Sequence, residues 1–118
     1  MNQWITVCKL EEISPLGSRV IRRSEAEGGD VAVFRNSDDE VFALSDRCPH
    51  KGGPLSQGIV FGRKVACPLH GFVIGLDDGL ATTPDEGCTA RFSCKIDEGV
   101  VYVDLASKQM PTSEKATV

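Results

Sequence analysis

Four side chains that commonly bind metals lie in two short motifs near the middle of the chain. Cys48 and His50 form a Cys-x-His pair, and Cys67 and His70 form a Cys-x-x-His pair after 16 intervening residues. The chain has only 2 histidines, and each stands within three positions of a cysteine. Scattered residues rarely fall in this way, so the spacing indicates a metal centre.

The mixed composition of each motif narrows the choice of metal. Thiolate is a soft ligand, and neutral imidazole binds both iron and zinc. Structural zinc sites usually pair like ligands, two cysteines followed by two histidines. Mixed pairs have a natural use when two loops approach a dinuclear iron cluster, because the cysteines can then hold one iron and the histidines the other. A zinc-stabilised β module for protein binding is the alternative, and colour separates the two, since zinc is colourless.

Length and composition limit the number of domains and the classes of partner that the chain can have. A chain of 118 residues with a formal charge of −4 predicts one globular domain. The absence of a basic stripe excludes a nucleic-acid partner, and no apolar run reaches the length of a membrane span. The first residues show no signal peptide, so we expect a soluble, cytoplasmic protein. In that reducing environment Cys8, Cys88 and Cys94 should be free thiols.

Short apolar segments separated by glycine and aspartate turns predict an all-β domain of about eight to ten strands. The domain should extend over residues 1–106, with the polar residues 107–118 as a C-terminal tail. Both ligand motifs occupy hairpin-like tips, and a loop around Pro84 should join them at one end of the domain. The expected strands cover residues 4–8, 19–23, 31–35, 40–44, 64–66, 72–76, 90–96 and 100–105.

The two motifs resemble the pattern of Rieske iron–sulfur proteins, including the glycines Gly53, Gly58 and Gly71 beside the ligands. The resemblance implies a Rieske-type fold of stacked antiparallel sheets with a cluster-binding end. It also implies a [2Fe–2S] cluster, in which two histidines replace two cysteines on one iron. The cofactor-binding and metal-ligating residues would then be Cys48 and Cys67 on one iron, and His50 and His70 on the other.

Several features of high-potential Rieske proteins are absent from this chain. Their two additional cysteines would correspond to Gly53 and Leu69, and the serine and tyrosine that hydrogen-bond the cluster would correspond to Phe72 and Ile74. The resemblance therefore implies the low-potential, ferredoxin-like branch. That branch transfers electrons between soluble redox proteins.

The residues around the ligands further resemble the small subunit of NAD(P)H-dependent assimilatory nitrite reductase. The likeness is carried by residues 48–58, by Cys67-Pro68-Leu69-His70 and by Pro84-Asp85-Glu86-Gly87-Cys88. In that family the large subunit carries FAD, siroheme and a [4Fe–4S] cluster and reduces nitrite to ammonium. The resemblance implies that this chain transfers electrons to such a partner and has no catalytic residues of its own. A Rieske ferredoxin that supplies an aromatic-ring dioxygenase is the alternative.

An electron carrier must bring its cluster close to the next redox centre, so the cluster end should contact the partner. Apolar residues flank the ligands there, namely Pro54, Leu55, Leu69 and Phe72, and Lys51 adds a positive charge. We expect these residues to form the docking face.

Overall fold

The computed structural model describes residues 4–47, 53–68, 73–81 and 88–109. These residues form nine strands in two antiparallel sheets, together with three single turns of 3₁₀ helix. No helix among them has the length and apolar character needed to cross a membrane. The strands are β1 (Trp4–Lys9), β2 (Ser18–Ile21), β3 (Val31–Arg35), β4 (Val41–Ser45), β5 (Ile59–Phe61), β6 (Lys64–Ala66), β7 (Val73–Gly75), β8 (Arg91–Asp97) and β9 (Val100–Gln109).

The larger sheet has six strands in the order β1-β9-β8-β4-β3-β2. Strands β3 and β4 are covered on both sides, because side chains on both of their faces are buried. Val31, Val33 and Ala43 face one apolar cluster together with residues of β1, β8 and β9. Phe34 and Leu44 point to the opposite side and join a second cluster. A continuous apolar run such as that of β3 is typical of a strand covered on both faces.

The smaller sheet has three strands of three residues each, in the order β5-β6-β7. Each strand sends one side chain inward, and these residues, Val60, Val65 and Ile74, are almost fully buried. They pack on Phe34 and Leu44 of the larger sheet in the second cluster. The small sheet thus lies over one face of β3 and β4, and it carries the second ligand motif at its end.

The structure confirms the predicted all-β class and places strands in all eight expected segments. It adds β5, a segment that the pattern does not predict as a strand, because three consecutive apolar residues are too few to show a periodicity. It also continues β9 through Gln109, three residues into the segment expected to be a tail. The extension is held by Ser107, whose Oγ donates to the Asp104 carbonyl at 2.6 Å and accepts from the Ser93 amide at 2.7 Å. The division into domain and tail stays a prediction.

Candidate metal centre

The second ligand motif occupies the connection between β6 and β7. The register pairs Ala66 with Val73, so β6 and β7 are antiparallel neighbours whose paired ends flank residues 67–72 of the sequence. Cys67, the first residue of that connection, is 2% exposed and belongs to the buried cluster that also contains Val65 and Ile74. His70 lies outside the described residues. The hairpin therefore delivers a buried sulfur to the edge of the apolar core.

The first motif follows β4 and is closed at its base by a side-chain clamp. The carboxylate of Asp46 accepts two hydrogen bonds from Ser56, one from the amide at 2.7 Å and one from the hydroxyl at 2.8 Å. The Ser56 carbonyl in turn accepts a hydrogen bond from Ser18 Oγ of β2 at 2.7 Å. Cys48 and His50 lie between these anchors but outside the described residues. The two ends of their loop are thus fixed to each other and to the larger sheet.

The exits of the two motifs lie against each other. Leu55, which follows the first motif, and Cys67 of the second belong to the same buried cluster. Gly58 passes so close to the second arm that a Cβ there would collide with the Ala66 carbonyl. Glycine is required where backbone segments approach this closely. The structure therefore brings the described ends of both arms together, as a centre shared by two loops requires.

A third segment is tied to the base of the first motif. The Thr89 hydroxyl donates to the Arg47 carbonyl at 3.2 Å, and the Thr89 amide donates to the Gly79 carbonyl at 2.8 Å. Leu80 and Cys88 form an isolated bridge, so the connection between them starts and returns beside the ligand arms. Pro84, the predicted tip of this third loop, lies outside the described residues. The polar anchors Asp46, Ser56 and Thr89 were not singled out from the sequence as supports.

The remaining three cysteines are free thiols, as expected. Cys8 is buried in the core of the larger sheet, and burial raises the pKa of its thiol. The Cys94 Sγ lies 3.1 Å from the Val41 carbonyl, and desolvation raises its pKa to about 12, against a smaller lowering by a backbone hydrogen bond with Ala43. Both thiols belong to the β-sheet frame, and neither supplies a thiolate at neutral pH.

One residue of the expected docking face lies in the core and not on the surface. Pro54 is exposed, but Leu55 is fully buried, because it starts the 3₁₀ turn Leu55–Gln57 and its side chain fills the core between the sheets. The prediction that Leu55 contacts a partner is therefore wrong. Lys51, Leu69 and Phe72 lie outside the described residues.

Comparison with known proteins decides the family. The pattern of the Rieske [2Fe-2S] domain matches residues 3–95 of this chain. The chain belongs to the Rieske [2Fe–2S] family. The cofactor of this family is a Rieske-type [2Fe–2S] cluster, and the donor set of two thiolates and two imidazoles suits it. The assignment of the four individual ligands stays a prediction, supported by the convergence of the two arms.

Relatives within the family differ in length and in described role. Ferredoxin CarAc from Metapseudomonas resinovorans is 33% identical over 105 residues, which cover 87% of this chain and 95% of that protein. The 4beta-methylsterol monooxygenase from Methylococcus capsulatus is 41% identical over 71 residues, but the match spans only 18% of its length. Small single-domain proteins and long oxygenases therefore both contain this domain.

Solved structures show the same division. The proposed NADH-dependent nitrite reductase small subunit from Mycobacterium tuberculosis superposes with a TM-score of 0.77 at 26% identity, over 88% of this chain and 96% of its own. A chain from the complex of reduced oxygenase and oxidized ferredoxin in carbazole 1,9a-dioxygenase gives a TM-score of 0.76 at 29% identity, over 90% and 95%. This chain is thus a Rieske electron-transfer domain similar to proteins of both kinds.

Proposed function

We propose that this chain is the electron-transfer small subunit of an NAD(P)H-dependent nitrite reductase, which reduces nitrite to ammonium. The observation that carries the proposal is the sequence of the loops around the ligands, Lys51-Gly52-Gly53-Pro54 and Pro84-Asp85-Glu86-Gly87-Cys88. These loops resemble that subunit more than they resemble a dioxygenase ferredoxin. The near-complete mutual coverage with the small subunit from M. tuberculosis supports it.

In this role a bound [2Fe–2S] cluster would supply one-electron transfer. The chain supplies the ligands, which we assign to Cys48, His50, Cys67 and His70. Around them, the Asp46–Ser56 clamp ties the two ends of the first arm together, and the pairing of Ala66 with Val73 closes the base of the second. Substrate chemistry belongs to the large subunit with its FAD, siroheme and [4Fe–4S] cluster, and this chain is not catalytic alone.

A specific observation favours a second candidate, a ferredoxin that supplies electrons to an aromatic-ring dioxygenase. Ferredoxin CarAc matches this chain over 95% of its own length. A ferredoxin would have the same cluster and the same fold, so the two functions differ only in the partner that the cluster end recognises.

The test is reconstitution of the purified, brown-red protein with each partner. We expect it to raise the rate of NADH- or NADPH-dependent ammonium formation from nitrite when it is added to a nitrite reductase large subunit. With a carbazole-type oxygenase and a ferredoxin reductase, we expect little product. The reverse result would identify the chain as a dioxygenase ferredoxin and contradict the proposal.

A further inference from the structure

The outward side of the small sheet has an unusual composition. Register places Ile59, Ala66 and Val73 in one row across the three strands, and Phe61, Lys64 and Gly75 in a second row. We call these six residues the outer sheet face. The first row is entirely apolar, although it lies on the side of the sheet opposite to the buried core residues Val60, Val65 and Ile74.

The edge strand of this face exposes two large apolar side chains. Ile59 is 71% exposed and Phe61 is 46% exposed. Single exposed apolar residues are common, but these two stand side by side on a strand that pairs only with β6 among the described strands. Natural edge strands are usually protected by charges, prolines or a covering segment. An apolar pair left on such an edge indicates a surface that another molecule covers.

The outer sheet face is continuous with the metal centre. Ala66 and Val73 immediately precede and follow residues 67–72, which contain Cys67 and His70. A protein seated over that ligand arm, close enough to exchange an electron, would therefore extend onto the row Ile59-Ala66-Val73. The predicted contact residue Leu55 is buried, so the described apolar surface next to this arm is provided by the sheet.

The charges on this face identify the complementary partner chemistry. Arg63, at the β5–β6 turn, is engaged by Glu40 in an ion pair of 2.7 Å. The carboxylates of Asp78 and Asp77 both lie over Gly75, and Asp78 accepts a hydrogen bond from the Leu80 amide at 2.9 Å. Lys64 is exposed and makes no ion pair with any described residue. It is therefore the cation on this face that a carboxylate of a partner can reach.

The size of the face argues against a second copy of this chain as the occupant. Six positions on three short strands cover much less than the roughly 800 Å² per partner that stable complexes bury. Transient redox complexes are smaller, and they need only complementary charge and a modest apolar contact. A temporary electron-transfer partner suits this area.

We propose that the outer sheet face binds the redox partner protein through an apolar surface that carries a carboxylate opposite Lys64. This inference deepens the proposed function and rests on it in one respect, that electrons pass to a separate protein. The contact would extend the docking surface from the ligand arms onto the side of the small sheet.

The first experiment removes the apolar pair with residues that retain a preference for strands. The double variant Ile59→Thr, Phe61→Thr is compared with Ile96→Thr, which alters an exposed isoleucine on β8 of the larger sheet. We expect the concentration of this chain needed for half-maximal electron transfer to the partner to rise at least about fivefold in the double variant. The maximal rate, the visible spectrum and the melting temperature should stay close to those of the parent protein. No change in half-saturation would overturn the proposal.

A second variant tests the charge independently of apolar packing. Lys64→Glu should raise the concentration of this chain needed for half-maximal electron transfer. It should also make that concentration less dependent on salt, because salt screens an attraction between exposed charges. Lys9→Glu, on β1 of the larger sheet, is the matched control. Equal effects of the two charge reversals would show that only net charge matters and would contradict a specific contact at Lys64.

Both experiments use the parent protein with the nitrite reductase large subunit and with a carbazole-type oxygenase. Transfer to the oxygenase alone would refute the nitrite reductase function, and the outer sheet face would then be tested by the same variants with that oxygenase. Transfer to neither partner would refute both proposals. Transfer to the large subunit with unchanged half-saturation in the double variant and in Lys64→Glu would refute only the docking face.

Discussion

The two sheets of this molecule achieve stability in different ways. The larger sheet has strands of four to ten residues, and its own side chains form a buried cluster around Val33, Val101 and Val103. The smaller sheet has three residues per strand and buries one side chain from each, and these side chains share a cluster with Phe34 and Leu44 of the other sheet. The sheet that carries the predicted second ligand arm is therefore packed on a sheet to which it does not belong.

This difference suggests that the smaller sheet positions the ligand arms and the larger sheet supports it. A sheet of such short strands leaves its end available for the predicted ligand arms, and a cluster bound there would add stability to the folded state. We expect the larger sheet to keep its register whether or not the cluster is present. Substitutions that affect one sheet more than the other should separate these two roles.

The largest effect should follow from loss of a ligand. Cys67→Ser should abolish the visible spectrum of the cluster, because the hard serine oxygen is a poor replacement for a thiolate. Far-ultraviolet circular dichroism should still show the strands of the larger sheet. Cys88→Ser, which alters a thiol at the base of the third loop, is the control and should keep its colour. A coloured Cys67→Ser protein would contradict the ligand assignment.

The next largest effect should come from replacing a phenylalanine in each of the two apolar clusters and comparing the two variants. Phe34 lies between the sheets and Phe92 lies in the cluster of the larger sheet, and both are buried. Replacing either by alanine should lower the free energy of unfolding by about 3–5 kcal/mol. Only Phe34→Ala should also release the cluster faster in the presence of an iron chelator, measured as loss of visible absorbance under native conditions. Equal release rates would show that the small sheet does not depend on this contact.

Much of the larger sheet could be predicted from the sequence, because its strands are long enough to show turns, β-branched residues and alternation. Val31–Arg35 was predicted with the bounds that the structure has. Lys64–Ala66 of the smaller sheet was predicted with its bounds as well, because it leads directly into the second ligand motif. Strand β5 was not, since Ile59, Val60 and Phe61 are all apolar while only Val60 faces the core. Its outward pair could be recognised only from the register with β6.

The sequence was enough to predict the type of metal centre, but not the residues that hold its loops in place. Two histidines beside two cysteines indicated the metal and the family. The Asp46–Ser56 clamp has no recognisable sequence motif, because hydrogen bonds between residues ten positions apart show neither periodicity nor a characteristic spacing. Leu55 was assigned to the surface because apolar residues next to ligands can face either way, and the 3₁₀ turn that points it inward is not evident from composition.

A smaller effect should come from opening the clamp on the first arm. Asp46→Ala removes the acceptor of two hydrogen bonds from Ser56 and should cost about 1–3 kcal/mol, since hydrogen bonds to a charged group are stronger than neutral ones. Cluster release should accelerate, while Asp97→Ala, at an exposed position on β8, should leave it unchanged. Asp46→Asn keeps one acceptor oxygen and should lie between the two. An unchanged release rate in Asp46→Ala would show that the arm is held by other contacts.

The smallest effect should come from the ion pair that joins the two sheets at their turns. Glu40, before β4, accepts hydrogen bonds from Arg63, between β5 and β6, at 2.7 and 3.0 Å, and from Asn36 at 2.8 Å. The Arg63 guanidinium is the main cause that holds the pKa of the Glu40 carboxyl below its usual value, and the Asn36 amide adds to it. Because the folded state has the lower pKa, the stabilising contribution is present above the usual glutamate pKa and is lost as the pH falls through the lowered value.

Glu40→Gln should therefore remove part of the stability that the parent protein loses on acidification, so that its urea midpoints at neutral pH and near pH 3 differ less. Glu11→Gln, at an exposed position of the first 3₁₀ turn, should leave that difference unchanged. Because the pair connects one turn of each sheet, acid should also speed cluster release in the parent protein more than in Glu40→Gln. The exposed position of the pair keeps the effect small, since water and salt screen it. If release at low pH is the same in both proteins, the ion pair does not contribute to holding the small sheet on the large one.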